Sequence, residues 1–86
     1  MPNVEEVKLN VAASVDQTQR ALQTLRGVAD SFDEALTRLR YTAIGSAHPS
    51  IMDAIANLEQ ARSRLDEAQN LASNALSSAD NYRTMV

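Results

Sequence analysis

The stretch Tyr41-Thr42-Ala43-Ile44-Gly45-Ser46-Ala47-His48-Pro49-Ser50 holds the one cluster of helix-breaking residues in the chain and lies almost at its midpoint. On each side runs a long apolar pattern with helical spacing. The expected fold is all-α: two long antiparallel helices forming a helical hairpin. The helices are placed at about 3–43 and about 50–85, with the turn at about 44–49. Gly45 suits the first position past a helix end, because glycine enters the left-handed region without a Cβ clash. Pro49 turns its predecessor out of the helical region and suits the first turn of a new helix. Ser50 with Asp53 resembles a capping box with Asp in place of Glu. Ser46 competes as N-cap, so the second helix is expected to begin somewhere from residue 47 to residue 51.

Upstream of the turn, Asn3 reads as a helix N-cap, with Glu5 and Glu6 in the first turn where the helix dipole favours acids. Val4, Val7, Val11, Ala21, Leu25, Val28, Phe32, Ala35 and Leu39 then recur in steps of three and four, with polar Ser14 and Thr18 on the same track. A parallel track carries Val15, Leu22, Ala29, Leu36 and Ala43. The two together make a stripe wider than a two-stranded seam. Gly27 interrupts the helix at a cost of about 1 kcal/mol against Ala. It is either a tolerated surface glycine or a point of close backbone approach. Arg38 and Arg40 fall in the expected last turns, where cations suit the dipole. Asp16–Arg20 and Glu34–Arg38 are ion pairs of the favourable i,i+4 orientation.

Downstream, Ile51, Leu58, Leu65, Ala72, Ala79 and Val86 share one heptad position, and Ala54, Ala61, Ala68, Ala75 and Tyr82 the next. Each arm is about 40 residues, or about 60 Å. If the chain folds near residues 46–47, facing residues have numbers that sum to about 93. Phe32 then meets Ala61, Leu25 meets Ala68, Leu39 meets Ala54, and Val11 meets Tyr82. In reverse, Ala35 meets Leu58 and Val28 meets Leu65. Large opposes small, which is how interdigitated cores are filled. The expected seam is therefore Val11, Leu25, Val28, Phe32 and Leu39 against Ala54, Leu58, Ala61, Leu65, Ala68 and Ala72.

That choice leaves Val15, Leu22, Leu36, Ile55 and Leu76 on an outer apolar flank, interrupted by Arg62 and Gln69, which can fix register. Five such side chains from each of two chains, at roughly 1.5–3 kcal/mol each, compete with an association cost of about 4–15 kcal/mol. The flank is the expected oligomer interface. It fits a homodimer forming a four-helix bundle, or a heterodimer with a similar hairpin. Tyr41 and Tyr82, near opposite ends, are either partner anchors or core-edge packing.

Composition narrows the functional class. The 86 residues make one domain, 1–86, too small for a large core. There is no Cys and one His, so neither disulfides nor a thiolate or all-protein zinc site is expected. A net charge of −3 argues against nucleic-acid binding and anionic membrane surfaces. No apolar run approaches the ~20 residues of a membrane span. Met1-Pro2-Asn3-Val4-Glu5-Glu6 lacks the parts of a cleavable signal, so a cytoplasmic protein or one exported without a cleavable signal peptide is expected. The acid pairs Glu5-Glu6, Asp33-Glu34 and Asp66-Glu67 point about 100° apart on a helix and do not converge. His48 has Gly45 three residues before it, not the Glu of a di-iron bundle. No catalytic site, metal, cofactor or small-molecule substrate is expected, and the chain reads as a non-enzymatic interaction protein.

The opening Asn3-Val4-Glu5-Glu6-Val7, the central Gly45-Ser46 and the ending Ser77-Ser78-Ala79-Asp80-Asn81-Tyr82 resemble short helical proteins and N-terminal modules of high-GC Gram-positive bacteria. Those modules carry no assigned activity and can precede polymorphic-toxin domains. More broadly, size and midpoint turn are similar to the WxG-type helical hairpins exported by type VII secretion, which dimerise. The resemblance implies a secretion- or toxin-associated partner protein. This chain has no Trp, and Tyr82 is followed by Val86 where that family's tail motif has an acid. The departure leaves the export signal incomplete and a partner-dependent role open. The alternative is a structural coiled-coil scaffold with no export role.

Overall fold

Asn3 begins the first helix. Its backbone is extended, and its side-chain Oδ1 accepts a hydrogen bond from the Glu6 N–H at 2.8 Å. Glu5 and Glu6 stand in the first turn. The computed structural model describes residues 3–46 and 48–85. Among them are two helices and no strand: α1, Val4–Gly45, and α2, Pro49–Met85, packed against each other. The expectations resting on Met1, Pro2, Ala47 and Val86 lie outside the described residues. At about 1.5 Å per residue, the 42 residues of α1 account for the 63 Å long axis of the molecule.

The turn is shorter than expected. Gly45 stays helical, and no described glycine has a positive φ. The chain leaves α1 instead through the extended backbone of Ser46, whose N–H donates to the Thr42 carbonyl at 3.0 Å. Arg38 and Arg40 consequently lie before the last turn, which holds no basic residue. Pro49 opens α2, inside the expected window. The start of α2 is organised by His48 and not by Ser50, which is itself helical. The His48 carbonyl accepts from Ile51 and Met52, and its Nδ1 accepts from the Ser50 N–H at 3.1 Å. An imidazole nitrogen thus takes the place of the hydroxyl or carboxylate usual at an N-cap.

The buried residues are Val15, Leu22, Ala29 and Leu36 of α1 and Ile55 of α2. Calling their heptad position a, the half-buried Val11, Thr18, Leu25, Phe32 and Leu39 occupy position d on α1. On α2, position a holds Ile55, Arg62, Gln69 and Leu76, and position d holds Leu58, Leu65, Ala72 and Ala79. The seam is this a/d pair, which corrects the expected one. Val15, Leu22, Leu36 and Ile55, assigned to an outer flank, are the best-buried large side chains, and Leu76 is half-buried beside them. Val28 and Ala68, assigned to the seam, are exposed. The helices are rotated by one heptad position from the expected packing, with a in place of g.

The reason lies in side-chain size. Burying Leu or Ile contributes roughly 1.5–3 kcal/mol, and Ala far less. Packing along a buries Leu22, Leu36 and Ile55 and half-buries Leu76, whereas packing along g would bury mainly Ala54, Ala61, Ala68 and Ala75. The polar a residue Arg62 does not oppose this. Its stem covers the seam while its head reaches the seam's edge. Thr18, at position d, donates its hydroxyl to the Ser14 carbonyl at 2.8 Å, within its own helix.

Candidate interaction surface

Side chains flanking the seam divide the hairpin into two unlike faces. Positions e form the first. On α1 these include Asp33 and Arg40, and on α2 Glu59 and Asp66. Arg62 reaches from its seam position to this face. Its Nε donates to Asp33 Oδ1 at 2.9 Å and its Nη2 to Asp33 Oδ2 at 3.4 Å, and a further nitrogen donates to Asp66. Arg40 meets Glu59 at 3.4 Å on the same face. The hydrogen bonds to Asp33 first, then to Asp66, push the Arg62 guanidinium above its ordinary value. A forked guanidinium between two carboxylates fixes geometry better than a lone pair of charges does.

The contact between Asp33 and Arg62 also sets the level at which the helices meet. Their numbers add to within a residue or two of the value expected from folding near residues 46–47. At Asp33–Arg62 the pairing lies close to the expected level, whereas Arg40–Glu59 is offset by about one further helical turn, and the rotation differs from the expected one. Of the two residues expected to fix register, Arg62 and Gln69, Arg62 makes a two-toothed contact across the seam. Its partner Asp33 enters the sequence reading only as one half of the non-convergent pair Asp33-Glu34. Opposite charge at matching levels was the signal that could have found it. Within α1, Asp16 and Arg20 pair at 2.6 Å. Among the described residues the Glu34–Arg38 pair does not close. Both kinds of exposed i,i+4 pair contribute little.

Positions d and g form the second face, and it is apolar apart from Ser14 and Thr18. Leu25, Phe32 and Leu39 show their outer sides there, next to Val28, which is 39% exposed. The α2 half carries Leu58 and Leu65 with Ala54, Ala61, Ala68 and Ala75. Ala54 and Ala61 are half-buried, and Ala68 and Ala75 are exposed. Every d residue thus belongs partly to the seam and partly to this face. Of the two tyrosines, Tyr41 is 78% exposed on the side away from the seam, and Tyr82 is half-buried at the end of the apolar face. The structure does not bring them together.

Among the described residues no three His, Asp or Glu side chains stand close enough to hold a metal ion. No buried side-chain polar atom among them lacks a hydrogen-bond partner. None of the helices is long and apolar enough to cross a membrane among the described residues. No family model, curated protein or solved structure matches the chain.

Proposed function

We propose that this protein is a non-enzymatic interaction module: a helical hairpin that completes its core by pairing with another helical hairpin into a four-helix bundle. The observation that carries the reading is the apolar d/g face. Among the described residues the two-helix seam leaves no side chain fully enclosed. Small folds with so little core commonly add a partner chain, a metal or disulfides, and this chain has no cysteine. The resemblance to type VII hairpins and toxin-associated modules supports a secretion- or toxin-associated setting.

Affinity capture of the tagged full chain from its native host, with mass spectrometry of what is retained, tests the reading. The expected result is a small helical protein or a toxin-domain protein. Genes for either, or for a secretion ATPase, are expected nearby. Recovery of an enzyme complex in which the chain touches substrate would overturn the reading. One sequence feature favours a second reading, a coiled-coil scaffold with no export role: Val86 stands where the export motif has an acid. Fractionation of a host culture separates the two, since a scaffold stays with the cells.

A further inference from the structure

The apolar face has a composition that suits one particular occupant. Its α1 half is built of large side chains, Leu25, Val28, Phe32 and Leu39, and its α2 half of the alanine row. The Asp33–Arg62 contact places Phe32 within a helical turn of Ala61, so the large residues of one helix and the small residues of the other share the same stretch of the face. Within one hairpin these residues stand side by side on the same face and do not fill one another. A second copy turned over about the hairpin's long axis lays α1 on α2. Each Phe32 then descends on the small residues around Ala61 of the second copy, and the same contact is made in return. A surface that is complementary to itself in this way is what a two-fold interface requires.

Charge distribution points the same way. Numbered by the heptad above, none of the chain's 11 Asp and Glu residues falls at position c, d or g. They occupy positions b, e and f, so the apolar face and its outer rim are free of acids. Two copies that each carry −3 therefore repel least when they approach through this face. Its size is sufficient as well. From residue 11 to residue 39 it runs about 42 Å at 1.5 Å per residue. With the 20 Å width of the hairpin, this is comparable with the ~800 Å² per partner of a stable interface.

We infer that two copies of this chain dock through their d/g faces about an axis parallel to the hairpin, α1 of each on α2 of the other, with both turns at the same end. This rests on the hairpin-pairing function above and names its occupant. All neighbouring helices in such a dimer are antiparallel, and the four-helix bundle has Arg62 on its two outer faces.

Sedimentation equilibrium of the native chain, and of Val28→Lys with Ala68→Lys, tests the inference. Both sites are exposed in the hairpin, so the variant keeps its helix content by circular dichroism. The native chain is expected to be a dimer at micromolar concentration, with the variant dissociating at least tenfold more readily. Because the chain has no native cysteine, a spin label on Ser46→Cys reports one distance between copies. That distance is expected to fall well below half of the 63 Å long axis. A separation near the full length would overturn the parallel axis. A native chain that is monomeric at high micromolar concentration would overturn the self-pairing, and a doubly substituted chain that stays dimeric would overturn the d/g face as its site. If that monomer still captures a different hairpin protein, and Val28→Lys with Ala68→Lys abolishes the capture, the second copy is rejected while the hairpin-pairing function stands.

Discussion

Gly27 sits in the middle of α1, exposed, with open space within 4 Å of where a Cβ would stand. Its backbone is helical, so alanine there removes only the entropic cost of glycine. Gly27→Ala should stabilise the protein by about 1 kcal/mol, measured by urea or thermal unfolding. Gly45 has the same open surroundings and a helical φ. Gly45→Ala should therefore be neutral or mildly stabilising, where a left-handed glycine would have been damaged by a Cβ. At the turn, His48→Ala should destabilise by about 1 kcal/mol through loss of the cap, while His48→Asn should keep most of it. Arg62→Ala and Asp33→Ala should each destabilise, and the double variant by less than the sum, as a double-mutant cycle reports for groups in contact. The sign of the pH effect follows from the raised Arg62 value. A base held above its unfolded pKa contributes below that pKa and loses the contribution only as pH rises through the folded one. The Arg62 contribution should accordingly be constant through the neutral range.

For the two helices as elements, what matters is which track faces inward. The a track of α1 carries Val15, Leu22, Ala29 and Leu36, all buried, while the neighbouring g track carries Ala21 and Val28, both exposed, and Ala35, half-buried. Leu36 is only 4% exposed. Leu36→Ala or Leu22→Ala should cost about 2–5 kcal/mol, the range for leucine cut back in a core, with a matching fall in melting temperature. Within a folded protein, helices are held mainly by packing of an amphipathic face. Loss of helical circular dichroism should therefore accompany the loss of the seam in these variants, so that α1 and α2 unfold together.

The whole molecule is a rod 63 Å long and 15 Å thick. In so thin a body no side chain can be covered from every direction, and the d residues remain half-buried. The proposed pairing with a second hairpin would supply the missing cover. The melting temperature of the native chain should rise with protein concentration, as mass action requires when only the folded state associates. The Val28→Lys, Ala68→Lys variant should melt at a temperature independent of concentration.

By itself the sequence determined the helices, the place of the turn and the level at which the arms meet. Asn3 as N-cap, Pro49 as the opening of α2 and the breaker cluster between them act locally, through bonds a few residues long. The level follows from two arms of nearly equal length sharing one turn. The rotation of each helix about its axis was decided only by the tertiary structure. Three adjacent apolar tracks, a, d and g, make a stripe too wide for one seam, and periodicity alone does not say which two meet. The unbroken alanine row favoured g, and Arg62 and Gln69 made a look polar. In the folded chain the large side chains of a go inside because they remove more apolar surface from water. Arg62 can lie among them because Asp33, on the opposite helix, stands within reach of its guanidinium. That distance between two helices is a property of their packing and is written in neither helix alone.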